Sequence, residues 1–424
     1  MQLEDVLTQL RVDVSPEIFR PHWEESVASL PEGVPPFLRP EEVRRNHSWS
    51  SLPPETEPAL LAAAARMRQE PALVMLAWHC YRLLYEHVDY EQTRDWPELK
   101  AALGEQSGAF YLLIALGLVP RVLEVHRKMG VSEEITRETL QQIVCYSRNY
   151  KRMTDGGLGI PVKQLYWLRH YDAGRLFRLG RFEYMLRPFR AAIRVYRHRH
   201  TGRVVALAPD GVRYNKEGYV DGSAGIVDTE HGWTAVLTED EEAVVGYPIS
   251  PKGYAVKRQV RLEKALWDCV LQQGDTTLEM HIPEGGGMTL DRCADSFRRA
   301  TAFFEELFPD QPFNSISSTS WIFNNQLQQI RLSSENLARF QRELYLYPVR
   351  SSGQDGLWFI FLREPLDLAT APRQTSLQRA VADFISAGNV WRNGGMFFLT
   401  EHLPYFGTQY YRSQEPDIWR DQTK

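Results

Sequence analysis

TLEMHIPEGGGMTLDRCADSFRRATAFFEELF, residues 277–308, is the stretch on which the reading of this 424-residue chain turns. TLEMHIP alternates apolar and polar residues as a strand does, and TLDRCADSFRRATAFFEELF carries apolar residues at the three- and four-residue spacing of a helix. Between them lies Glu284-Gly285-Gly286-Gly287-Met288. Three residues without a Cβ let bare backbone N–H groups and a helix N-terminus point at one spot, which suits an anion. A plain tight strand-to-helix connection has the same sequence signature, and spacing alone leaves both readings open.

Two alternating runs flank this unit. FNSISSTSWIF (313–323) predicts a strand, and AAIRVYRHR with VVALAP predicts a hairpin around His200–Arg203. Further strands are expected in TAVLT, AVVGYPI, YAVKRQVRL, LYLYPVRSSGQDGLWFIFL (a strand pair) and GGMFFLT, with helices in NNQLQQIRLSSENLARFQREL and TSLQRAVADFISAGN. Residues 175–424 therefore predict a mixed α/β domain with a mostly antiparallel central sheet. Residues 57–174 carry helical periodicity, with Pro71 opening one element and Ser132 capping another. Residues 1–56 are Pro-rich and predict an extended arm anchored by Phe37 and Trp49. The expected fold class is α+β, an all-helical N-terminal domain followed by the mixed domain.

Composition narrows the function classes. Hydrophobic residues at 43% and charged residues at 24% are those of a folded globular chain. A net charge of −5 argues against a dedicated nucleic-acid binder. Cys80, Cys145, Cys269 and Cys293 show no metal-ligand spacing, so no metal is expected, and a reducing cytoplasm is the expected location. The N-terminus lacks a secretory pattern. The longest apolar run, around Phe110 to Val119, is shorter than a membrane span and predicts a buried helix.

LFRLGRFEYMLRPF, RVYRHRHTGRVVAL, DGVRYNKEGYVDG, GYPISPKG, LEMHIPEGGGMTLDRC, STSWIFNNQL, FQRELYLYPV, TSLQRAVADFISAGN and GGMFFLTEHLPYFGTQYYR together make the chain resemble a known family. It is that of bacterial acyltransferase-domain proteins pairing a helical N-acyltransferase N-terminal domain with a GNAT-like C-terminal domain. The resemblance covers most of the chain from about residue 60. It implies a sheet whose central strands splay apart, with acyl-CoA as co-substrate in the gap and its pyrophosphate on the loop after the fourth core strand. LEMHIP would be that strand, Gly285, Gly286, Gly287, Met288 and Thr289 the loop, and SISSTSWIF the fifth strand. The family's usual loop is Gln/Arg-x-x-Gly-x-Gly/Ala. Here Glu284 precedes the glycines, and an acidic side chain beside a phosphate opposes binding.

Direct acyl transfer to an amine needs a base for the ammonium proton, polarisation of the thioester and an acid for the thiolate. Alternation places Thr277, Glu279 and His281 on one face and Leu278, Met280 and Ile282 on the other. His281 is the candidate base and Glu279, about 7 Å along the strand, its partner. A hydrogen-bonded structural histidine fits the same residues. Tyr345 is the candidate acid; it and Tyr347 alternate with Leu344 and Leu346, and either hydroxyl could protonate a thiolate. The hydroxyl-rich Ser315, Ser317, Ser318, Thr319 and Ser320 suggest a wet groove or a solvated edge, with Ser320 counted among the ligand contacts. The arginine series from Arg175 to Arg203 suits an acidic ligand or nucleic acid, or a solvated hairpin paired to Glu239–Glu242. The expected activity is transfer from acyl-CoA to a small-molecule or peptide amine. The rival is a catalytically inactive GNAT-shaped module for ligand sensing or protein interaction, favoured if the fourth and fifth strands form a continuous ladder.

Overall fold

The computed structural model describes residues 1–328, 330 and 335–415. The chain divides into two compact units, Met1–Leu179 with Pro283–Gly285, and Gly180–Ile282 with Gly286 onward. Part of the expected helix in NNQLQQIRLSSENLARFQREL lies outside the described residues; the remainder forms a 3-10 turn, Asn325–Gln328, and the helix Glu335–Glu343.

Unit 1 is helical, and it includes the first 56 residues. Leu3–Gln9, Trp23–Ala28 and Pro40–Trp49 are α-helices, with Leu3, Val6, Phe19, Trp23, Phe37 and Val43 buried. The expected extended arm is thus replaced by packed helices. Proline, read as a breaker, stands instead at helix starts, where its missing N–H costs nothing: Pro16, Pro36, Pro40, Pro54 and Pro71 all occupy first-turn positions. Ser132 caps Glu133–Leu140 as expected, its hydroxyl accepting from the Ile135 amide at 3.3 Å. The segment Lys100–Met129 is long and apolar enough to cross a membrane by composition. It is a core element here, with 72% of its most apolar window buried and every residue of Ser107–Leu116 inside the unit.

In unit 2 the central sheet runs in the order Phe182–Pro188, Thr276–His281, Ser315–Ser320, Gly394–Leu399, Tyr345–Pro348. Only the second and third of these strands are parallel neighbours. The helix Leu290–Leu307 buries Cys293, Ala294, Ser296, Phe297, Ala300 and Phe304. Phe297 meets the rings of Phe182, Tyr184 and Phe398, and Ser296 Oγ accepts from the Phe182 amide, so this helix covers the face carrying Met280. A second sheet contains the expected hairpin, Arg194–His198 with Val204–Leu207. LWFIF, expected as a strand, is instead the short helix Leu357–Phe361. Leu357, Ile360 and Phe361 recur at helical spacing and fill a core cluster with Val381 and Trp391, and that burial outweighs β propensity.

Tyr345 stitches the two sheets of unit 2 together. Its hydroxyl accepts from the Ala206 amide at 3.1 Å and donates to the Ile249 carbonyl. Tyr345→Phe would leave both buried backbone groups unmet. We expect a loss of about 2–3 kcal/mol in urea unfolding with turnover unchanged; a large fall in turnover at full stability would return this residue to the active site.

Candidate active site

The alternation read in TLEMHI is realised in the register. Thr277, Glu279 and His281 lie opposite Arg187, Met185 and Glu183 on one side, while Leu278 and Met280 lie opposite Leu186 and Tyr184 on the helix-covered face. His281 is therefore on an internal strand, 26% exposed like Glu279, and its Nε2 lies 3.7 Å from Glu279 Oε2. That distance is a small side-chain rotation, or one water, short of a hydrogen bond. Burial works to raise the Glu279 carboxyl; the facing imidazole and the guanidinium charges of Arg190 and Arg187 outweigh it and hold the group below its ordinary value. Glu279 is thus a carboxylate at neutral pH.

The two parallel strands join only at their beginnings. Thr277 Oγ1 donates to the Ser315 carbonyl at 2.8 Å, and register pairs follow at Leu278–Ile316 and Glu279–Ser317. Beyond these the pairing ends. Met280 and His281 stay with Tyr184 and Glu183, and Ser318, Thr319 and Ser320 stay with Met396, Gly395 and Gly394. Each strand keeps its outer partner and leaves its inner one, so the sheet opens between them. A central strand that leaves its neighbour exposes backbone donors and acceptors, and an extended amide-bearing ligand satisfies them.

Tyr347 lies on the outer strand of the sheet, in the same cross-strand row as Gly395 and Thr319. Its register partner is Gly395, where a Cβ would come within 2.1 Å of the tyrosine ring, so the ring crosses the strand at a position without a side chain. Burial raises the Tyr347 hydroxyl, the neighbouring Thr319 side chain works to lower it, and the charge of Glu279 adds to the rise. It is a phenol, not a phenolate, throughout the neutral range. Tyr345, the residue singled out in the sequence, is elsewhere: its fully buried hydroxyl is spent on Ala206 and Ile249. Ser320 is also committed, since its hydroxyl accepts from the Ile322 amide at the start of Trp321–Phe323. Glu183, which sequence reading passed over, is the register partner of His281 and only 1% exposed. The signal was available in FEYMLRP, where a carboxylate stands at an alternate position of an otherwise apolar run.

The glycine turn follows the opened end of the Thr276–His281 strand. Gly285, Gly286 and Gly287 have φ of +89°, +78° and +67°, conformations that favour glycine. Among the described residues no acceptor takes the amides of Gly286, Gly287 or Met288. Thr289 precedes the helix Leu290–Leu307 without capping it, leaving the first-turn N–H groups and the positive end of the helix dipole available. The turn's carbonyls face basic groups instead: Arg181 Nε donates to Gly287 at 2.6 Å, and Arg292 donates to Gly286. Glu284 does not oppose an anion as expected, because its carboxylate is paired at 2.8 Å with Arg152.

Other candidates are accounted for. Arg194 pairs with Glu239 at 2.7 Å, Arg199 with Asp268 at 2.8 Å and Arg197 with Glu401, so only one of these three uses the Glu239–Glu242 stretch. In unit 1, His22, Glu25 and His87 bring three donor atoms within 4.8 Å. The two imidazoles are stacked at 3.6 Å and Glu25 is shared with Arg82, a cluster packed on itself. Sequence spacing missed it because its members lie 62 residues apart, from His87 to Glu25.

Two family models match the chain: one described as a GNAT-like C-terminal domain over residues 176–398, the other as an N-acyltransferase N-terminal domain over residues 44–171. No curated protein matches. Among solved structures, an acyltransferase in complex with decanoyl-CoA and teicoplanin is similar at TM-score 0.63 and 20% identity, over 94% of this chain and all of that one. A complex of an acyltransferase with CoA and 10C-teicoplanin gives the same values. One with decanoyl-CoA gives TM-score 0.58 and 22% identity, over 94% and 99% of the two chains. At these identities the likeness is one of fold.

Proposed function

The chain belongs to the family that joins a GNAT-like C-terminal domain to an N-acyltransferase N-terminal domain, and from that premise we propose that it moves an acyl group from acyl-CoA to an amine by direct attack. The observation that carries this reading is the parting of Thr276–His281 from Ser315–Ser320 after Glu279 and Ser317. The amides of the pantetheine arm would pair with the backbone freed there, and the diphosphate would lie on the amides of Gly286, Gly287 and Met288 and the helix start at Thr289. In the reaction the amine nitrogen bonds to the thioester carbon and the C–S bond breaks. His281 takes the proton that the ammonium must lose before attack, Glu279 stabilises the resulting imidazolium, Tyr347 donates a hydrogen bond to the departing sulfur, and the extra proton still on nitrogen after attack passes to the released thiolate. The solved relatives hold decanoyl-CoA or octanoyl-CoA, and we extend a medium-length acyl group to this chain. The acceptor is a small-molecule or peptide amine. An inactive module is disfavoured by a ladder that is open where that reading needs it closed.

Calorimetry with acetyl-, octanoyl- and decanoyl-CoA tests the proposal, with micromolar binding expected for the longer chains. Absence of binding to all three at millimolar concentration would remove it. Gly286→Val should weaken acyl-CoA at least tenfold. At φ +78° a β-branched residue is strained, and its Cβ would come within 3.2 Å of the Arg292 guanidinium.

A further inference from the structure

A cavity of about 490 Å³ lies wholly within unit 2, and Tyr347 is part of its wall. Its sides come from segments that follow strand ends. Val349 and Arg350 continue from Tyr345–Pro348, Ala192 and Ile193 come after Phe182–Pro188, and residues between 209 and 214 come after Val204–Leu207. The first two segments are joined at their root, where the rings of Phe189 and Tyr347 meet edge to face with centroids 6.3 Å apart. The cavity thus adjoins the cross-strand row of Thr319, Gly395 and Tyr347, and the phenol on which the charge of Glu279 acts.

Most of the lining is apolar, and three of its residues carry charge. Arg213 and Asp221 neutralise each other in an ion pair at 2.7 Å, and Arg213 also donates to the Asp228 carbonyl at 2.6 Å. Arg350 is left over. It is exposed, and among the described residues it has neither a hydrogen-bond nor an ion-pair partner. An apolar chamber with one uncompensated guanidinium suits an apolar ligand with one anionic group, and the planar fork of arginine matches a carboxylate. An acyl chain in the same space would leave that charge unanswered. Three residues of chain from Tyr347 to Arg350 span at most about 11 Å, a distance that a short peptide covers from its amine to its carboxylate. We infer that this cavity receives the acceptor, and that the acceptor is a short apolar peptide whose terminal carboxylate meets Arg350 while its amine lies toward Tyr347. The inference rests on the acyl-transfer reading above and narrows its acceptor from amines in general to peptides with a free carboxylate.

The test is calorimetry of two probes with the same amine and the same body, leucyl-leucine and leucyl-leucinamide, and of octanoyl-CoA, against the unaltered full chain, Arg350→Ala, Arg350→Lys and Ala192→Trp. Arg350 and Ala192 are exposed, so their replacement should leave the unfolding midpoint unchanged. The unaltered chain is expected to bind the acid about tenfold or more tighter than the amide. Arg350→Ala should reduce the acid to the level of the amide and leave octanoyl-CoA unaffected, and Arg350→Lys should recover part of the loss. Ala192→Trp, which fills the cavity, should abolish binding of both peptides and retain octanoyl-CoA. Equal affinity of the unaltered chain for acid and amide, or binding of neither at millimolar concentration, would overturn the inference while octanoyl-CoA binding kept the proposed activity standing. Loss of octanoyl-CoA in Ala192→Trp would give the cavity to the acyl chain and overturn the acceptor assignment. Failure of the unaltered chain to bind octanoyl-CoA would bring down the acyl-transfer reading, and this inference with it.

Discussion

His281→Ala is expected to lower kcat for octanoyl transfer to a primary amine by about 10²-fold or more at pH 7, with the affinity for octanoyl-CoA nearly unchanged. The size follows from the protonation of the acceptor. An alkylamine of pKa near 10 is almost wholly ammonium at pH 7, and only the free amine attacks the thioester. His281 faces the opened part of the sheet with Glu279 Oε2 3.7 Å from its Nε2, and Glu279 is held as a carboxylate by its basic neighbours. This arrangement can remove that proton on demand. A distinguishing readout is the pH profile of the variant. Raising the pH from 7 to 9 increases the free amine about a hundredfold on its own, so the gap between variant and parent should narrow over that range. Near-normal turnover of His281→Ala at pH 7, or a gap that stays constant with pH, would make His281 a structural residue.

The sequence carried the local half of the candidate site's geometry. Alternation in TLEMHI placed Glu279 and His281 on one face, and the register agrees because a central strand with one face under a helix cannot slip without burying its polar set. The glycine turn and the helix behind it were legible for a similar reason, since three successive positive φ angles demand glycine. The non-local half was not. Tyr345 and Tyr347 alternate onto the same face, and only the partner strand separates them: Phe397 lies opposite Tyr345 and Gly395 opposite Tyr347. The opening of the sheet depends on the pairing of two strands separated by a whole helix, which no local pattern encodes. The prolines of residues 1–56 misled because the same residue that breaks a helix interior is favoured at its first turn.

The second large effect is expected at Tyr347. Its phenol is raised by burial and by the charge of Glu279, whereas a thiol of the CoA type has a pKa near 8.5. Full proton transfer from this phenol to the departing thiolate is therefore uphill, and a hydrogen bond to the developing negative sulfur is the contribution it can make. Removing one such donor from a preorganised site costs about 10²-fold in kcat, in the range of a single oxyanion-hole donor. Tyr347→Phe keeps the ring that fills the space over Gly395, so folding and octanoyl-CoA binding should be retained. The mechanism predicts more than a loss. A thioester whose thiol is intrinsically acidic, such as an aryl thioester, needs less help at sulfur, so the penalty of Tyr347→Phe should shrink toward unity with that donor. His281→Ala should keep its penalty on both donors, because it acts on the amine. If Tyr347→Phe loses the same factor whatever the leaving group, the hydroxyl serves to orient Thr319 and the opened strand, and stabilisation of the thiolate must come from backbone amides in the gap.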